Sequence, residues 1–246
     1  MTERPILFNA EMVRAVLAGT KTQTRRVVKP QPTSAGLVWR EHDGFAAWVD
    51  ESLLLDEWSE AGGACMRRCP YGEVGDRLWV REAFQHYANH WISGDTHVTS
   101  CVKYRADDTS MHQGVWADFP DAPREAWWNT GRQPWRPSIH MPRWASRIML
   151  ELTEVRVERV RDISYGDAGA EGVDENEWPC NCATDDGVKI DGQPLCDIYM
   201  KSGESAVGVF GMLWDSINSK SGFGWETNCW VWVVSFKRIN SMEDSA

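Results

Sequence analysis

The sequence predicts an α+β fold: a small mixed β-barrel with helices capping its ends and long insertions between its core segments. Three observations predict it. The segments run helix, strand, strand, strand, short helix, helix, strand, without the regular strand–helix alternation of a doubly wound sheet. The most strand-like stretch, Arg147 to Arg161, changes phase midway, as the bends of a small barrel require. The last strand, Trp230 to Phe236, is apolar on both faces and belongs inside a sheet rather than at its edge.

The first helix is set by Asn9 as N-cap, by Met12, Val13, Val16 and Leu17 at helical spacing, and by Gly19 as its C-terminal stop. The polar, β-branched run Gly19 to Arg26 then leads into Val27 and Val28, and Lys29 to Pro32 end it. Tyr71 to Asp76 is turn chemistry, and Arg77 to Phe84 is a strand by β-propensity. In the next strand Ile148, Leu150 and Leu152 share one face, whereas Val155 and Val157 lie on the other. Ser164 and Asp167 have capping-box spacing for a short helix over Ser164 to Gly172, with Ile163 placed to staple onto Ala168. A further helix carries Val207, Phe210, Trp214 and Ile217 on one stripe.

At 246 residues these segments fit one domain, 1–246, interrupted by loop-like insertions at about 33–68, 86–140 and 174–205. No apolar run approaches the ~18 residues of a membrane span, and no basic-then-apolar leader follows Met1. With seven cysteines and no disulfide-scaffold pattern, the expectation is a soluble cytoplasmic protein with reduced thiols. The net charge of −10 argues against a protein that coats phosphate backbones, while leaving room for a local pocket that accepts one nucleotide or nucleoside. The 15 tryptophans are spread along the chain, which fits filling of a core and covering of sheet faces better than one base-stacking patch.

Common chemistries find no support. There is no phosphate-binding glycine loop, no His-Glu-x-x-His and no Gly-x-Ser-x-Gly. The six histidines lie in or beside the insertions, so a histidine-based triad is disfavoured. Cys65 and Cys69 are spaced as Cys-x3-Cys, and Cys180 and Cys182 as Cys-x-Cys with Cys196 beyond, without the pairing of a structural zinc site; no metal and no cofactor are expected. What stands out is Lys21, directly after a helix-ending glycine, flanked by threonines and followed by Arg25 and Arg26. A lysine serves as a base only when burial lowers its pKa toward neutrality. Glu82 shares a face with Leu78 and Val80, so it points inward and needs a cation, for which Arg26 or Lys21 is the candidate.

The run Leu17 to Arg26, Leu-Ala-Gly-Thr-Lys-Thr-Gln-Thr-Arg-Arg, resembles the Gly-x-Lys-x-x-x-x-Arg signature of ASCH domains in the PUA-like superfamily. It looks especially like the corresponding stretch of the small bacterial N4-acetylcytidine amidohydrolases. Gly75 to Leu78 resembles their Gly-Asp-x-Leu strand entry, Ile163 to Gly172 the helix bearing their glutamate, and Val233 to Ile239 their closing strand. Trp79 to Glu82 and Met141 to Ser146 also resemble stretches of phage-encoded ASCH proteins. The resemblance covers less than half of the chain and none of the insertions. It implies a PUA-like barrel and a catalytic set of Lys21, Thr24 and Glu171. Gly19 and Arg26 are expected beside the substrate, and Glu82 is expected to close the barrel as a structural ion pair, with a place in the substrate-site lining left open. The implied activity is removal of an acyl group from the exocyclic amine of an N4-acylated cytosine nucleoside, without metal. RNA binding by a PUA-like module is the alternative, weakened by the negative charge. Lys21 and Thr24 are three apart, so a flat strand would aim them at opposite faces, and they converge only if the chain turns.

Overall fold

The computed structural model describes residues 1–32, 38–42, 45–49, 66–93, 95–115, 134–173, 189–190, 193–194 and 205–239. It is a mixed α+β protein whose strands form open runs, with no closed barrel among the described residues. The chain divides into two compact units, one of Met1–Ala18, Arg77–Leu150 and Arg238–Ala246, the other of Gly19–Asp76 and Glu151–Lys237.

The first unit opens on a strand, not on the expected helix. Strand β1 (Glu3–Leu7) runs parallel to β6 (Arg77–Arg81), with Glu3 opposite Arg77 and Leu7 opposite Arg81. Only Ile6 of β1 is buried, so a single apolar contact marks this strand and no alternation announces it. Helix α1 (Ala10–Ala18) follows as the local signals require: Asn9 Oδ1 accepts a bond from the Met12 N–H at 2.8 Å, and Val13 and Val16 are buried. Gly19 ends it at φ +79°, a conformation costly for other residues. The region 86–140, expected to be loop-like, instead holds most of an antiparallel meander of β7 (Phe84–Ser93), β8 (Asp95–Tyr104) and β9 (Ser110–Val115). Ser93 pairs with Asp95 at its tip, and a bulge between Thr99 and Cys101 breaks the register with β9. Phe84, Val102, Tyr104, Met141 and Ala145 form the core of this part.

The second unit contains β2 (Gln23–Val27), most of β10 (Met149–Arg159) and β13 (Trp230–Ile239), with β13 between the other two. Val231 to Val234 are all buried, which bears out the central position expected for this strand. In the antiparallel register of β13 with β2, Val234 faces Thr24 and Val233 faces Arg25. Along β10, Leu150 and Leu152 are buried, then Thr153 and Glu154 are both exposed, at the point where the sequence changes phase. Helix α2 (Tyr165–Ala170) is capped by Ser164, whose side chain accepts the Asp167 N–H, and α3 (Ser205–Asn218) supplies Phe210 and Trp214 to a core shared with Val160, Ile163, Ala168, Trp225, Val231 and Val233.

The insertion at 33–68 holds strands β3 (Val38–His42), β4 (Phe45–Val49) and β5 (Met66–Arg67), and that at 174–205 holds the ribbon β11 (Lys189–Ile190) and β12 (Gln193–Pro194). No described helix is long and apolar enough to cross a membrane. Cys69, Cys101 and Cys229 are buried free thiols, while Cys65, Cys180, Cys182 and Cys196 lie outside the described residues.

Candidate active site

The second unit assembles a buried cluster of charge around the end of α2. The chain before β2 lies along that end: Lys21 and Glu171 form an isolated antiparallel bridge, the Thr22 N–H donates to the Ala170 carbonyl at 2.8 Å, and the Thr22 carbonyl accepts from Phe236 at 2.8 Å. Glu171 caps α2, and Gly172 follows at φ +81°, the left-handed stop that turns the chain away. These backbone bonds fix Lys21 opposite Glu171 before their side chains are considered.

Lys21 and Glu171 are 2% and 5% exposed. Lys21 Nζ donates to Glu171 Oε2 at 2.7 Å and to the Glu171 carbonyl at 2.7 Å. Burial pushes the Lys21 ammonium below the usual lysine range, and Glu171 works against that push; Arg26 and Arg25 reinforce it. Lysine and glutamate, 150 positions apart in the chain, are thus brought together.

Thr24 is fully buried on β2, and its Oγ1 has no hydrogen-bond partner. Lys21, Gln23 and Arg25 recur with period two, and all three reach the carboxylates of the α2 region; alternation therefore puts Thr24 on the other face of the strand. The Lys21–Thr24 convergence that catalysis by this threonine would require is not made by a hydrogen bond. Arg26 is half-buried and donates from Nη1 to the Arg25 carbonyl at 3.2 Å. Gly19 has open space where a Cβ would stand, so its backbone conformation rather than a close approach calls for glycine there.

Glu82 finds a different cation from the two expected. In the first unit its carboxylate accepts both prongs of Arg147, Nε at 2.8 Å and Nη2 at 3.0 Å. Arg147 also donates to Asp107 and to Thr109 and stacks over the Tyr104 ring at 4.0 Å. The partner found is Arg147, whose planar fork reaches both carboxylate oxygens. His86 packs edge-on against Trp144, and burial pushes it down to about 4, leaving the ring neutral near pH 7.

Arg25, Arg156 and Asp167, none of them expected at the site, complete the cluster. Arg25, 2% exposed, donates to Glu171 Oε1 at 3.3 Å, to Gln23 at 2.9 Å, to Asp167 Oδ2 at 3.4 Å and to Glu158. Arg156 grips both oxygens of Asp167 at 3.1 and 3.2 Å. Burial raises the Asp167 carboxyl, but the Ser164 hydrogen bond and the charges of Arg156 and Arg25 hold it below the usual range. A signal was available in the alternation Lys21–Gln23–Arg25 and in the spacing of Asp167 and Glu171, four apart at the end of one helix. Among the described residues no cluster of three or more His, Cys, Asp or Glu side chains is arranged to hold a metal ion. Comparison of the chain with protein-family models, with curated proteins and with solved structures finds no match.

Proposed function

We propose that the Lys21–Glu171 pair hydrolyses the amide of an N4-acylated cytosine nucleoside, giving cytidine and a carboxylate. The observation that carries this reading is a fully buried lysine held 2.7 Å from a buried carboxylate oxygen. Two charges taken out of water contribute little to stability that apolar side chains of the same size would not, whereas a lysine whose charge is opposed by burial is poised to exchange a proton. In this reading the strands belong to an ASCH-type, PUA-like barrel, as the Gly19 to Arg26 run suggests.

The proposed chemistry needs no group beyond these residues and water. Neutral Lys21 takes a proton from the attacking water as its oxygen bonds to the acyl carbon. The C–N4 bond then breaks, and the departing exocyclic nitrogen takes one proton, relayed by Glu171. The Thr24 hydroxyl bonds to neither partner, so the geometry favours an activated water over a threonine alkoxide as nucleophile. The net charge of −10 supports a small nucleoside substrate over a nucleic acid.

The test is incubation of the purified protein with N4-acetylcytidine and chromatography for cytidine. Cytidine formed in proportion to enzyme supports the reading. Absence of product together with binding of single-stranded RNA at moderate salt would replace it with the RNA-binding alternative.

A further inference from the structure

We propose that Arg25 is a positioning residue that fixes Glu171 so that one carboxylate oxygen is kept for Lys21. This rests on the reading of Lys21 and Glu171 as the catalytic pair. The two oxygens of Glu171 are divided between two cations: Oε2 takes Lys21 Nζ at 2.7 Å, and Oε1 takes Arg25 Nη1 at 3.3 Å. Arg25 is held in place, because Gln23, Glu158 and Asp167 accept from its two Nη groups and the Phe210 ring centroid lies 5.7 Å from its guanidinium carbon. Its acceptors are held in turn: Arg156 donates to Asp167 at 3.1 Å, to Glu158 at 3.2 Å and to Glu154 at 2.8 Å. A ladder of alternating charge thereby runs from the buried pair to Glu154, whose side chain is 54% exposed.

The chemistry gives each step a reason. Guanidinium stays charged at every relevant pH and its planar fork sets direction, so it can anchor a carboxylate without competing for the proton being moved. A carboxylate anchored on one oxygen presents the other at a fixed angle, and misplacement of a proton-transfer group by about 1 Å costs about a hundredfold in rate. The Arg25 charge also opposes protonation of Lys21, beside the larger effect of burial. With Arg25 withdrawn, Glu171 is free to turn both oxygens to Lys21 and favour its charged form.

The test uses the full chain and two variants. Arg25→Lys keeps the charge but cannot span Gln23, Glu171, Glu158 and Asp167 together. The expected result is a kcat lower by about tenfold to a hundredfold, an unchanged KM, and an acid limb of the rate profile moved to higher pH. The double variant Arg25→Gln with Glu158→Gln removes one charge of each sign, keeping the cluster balanced if the single change does not fold, and should show the same pattern. A cluster that serves stability alone would lower the melting point and leave kcat and the acid limb where they were, which overturns the proposal. Titration of the Lys21 side chain by NMR separates this from the reading beneath it. If the wild type releases no cytidine yet Lys21 titrates higher in Arg25→Lys, the positioning stands and the amidase reading falls. If turnover is normal and neither the rate nor the titration moves, the positioning falls alone.

Discussion

Lys21 places its amine at a depth where water supplies nothing, and this sets how the protein should answer to pH and to substitution. Burial lowers its pKa in the folded state beneath the ordinary 10.5, so between those two values the unfolded chain binds the proton more tightly. Stability therefore gains from Lys21 as pH rises through the folded pKa toward 10.5, and its full burial cost is felt below that window. Activity that needs the neutral amine should rise with pH over the same limb. Lys21→Ala should reduce hydrolysis by ~10²- to 10⁴-fold while the protein still folds, because Glu171 keeps Arg25 as a counter-charge. Lys21→Arg should be equally inactive, since guanidinium does not give up its proton. Undiminished turnover by a folded Lys21→Ala protein would remove the lysine from the mechanism. Glu171→Gln should touch stability as well as rate, because the site it alters is buried. The carboxylate is the counter-charge of a buried lysine, so the change should cost about 3 kcal/mol at neutral pH and less as Lys21 deprotonates. The rate should fall ~10²- to 10⁴-fold, and the residual acid limb should move to lower pH because Glu171 no longer favours the ammonium. Denaturant midpoints and rates across pH check both parts.

Helix α2 is the element on which the site depends, and it is short. Six residues cannot hold a helix by propensity, so its cap and its packed face must hold it. Ser164 Oγ accepts the Asp167 N–H at 3.1 Å, and Ala168 is fully buried against Ile163 and Phe210. Ser164→Ala should cost about 1 kcal/mol, and Ser164→Thr should restore most of it, as read by thermal melting. An unchanged midpoint in Ser164→Ala would mean that packing alone secures the helix. This element was legible in the sequence because its signals are local: cap, staple and stop all lie within Ile163 to Gly172. The same holds for α1, with Asn9 at one end and Gly19 at the other. The strands within 33–68 and 86–140 were not legible, since their pairing partners rather than their own periodicity make them strands. Among site residues, Lys21 and Glu171 could be marked by motif. Arg25 carried only its alternation with Lys21 and Gln23 as a local signal, since its role comes from Glu158 and Asp167, more than 130 positions away.

Across the whole molecule, each compact unit buries a network of opposite charges among its described residues, and the two differ in the cation at their centre. In the second unit the Lys21 ammonium donates to the Glu171 carboxylate and to the Glu171 carbonyl, each at 2.7 Å, and an amine, unlike a guanidinium, can give up its proton when burial opposes its charge. In the first unit Arg147 is saturated: Glu82 takes two of its N–H groups, Asp107 takes bonds at 2.8 and 3.1 Å, Thr109 one at 2.6 Å, and Tyr104 lies beneath it. An arginine so held has no freedom to take part in chemistry, which is why Glu82 is assigned to holding the fold. Burial raises the Glu82 carboxyl while Arg147 draws it down, so the pair persists at neutral pH because the fork contacts both oxygens. Glu82→Gln keeps the shape, leaves one prong with an amide oxygen, and leaves Arg147 with Asp107. The loss should be about 1–3 kcal/mol in stability, short of the cost of stranding a buried cation. The rate of cytidine release should be unchanged at temperatures where the variant is folded. Melting temperature and kcat measured side by side for Glu82→Gln and Glu171→Gln decide between the two carboxylates. A Glu82→Gln protein that melts like the wild type but has lost its rate, beside a Glu171→Gln protein that has kept it, would reverse the assignment and move the chemistry to the Glu82–Arg147 pair.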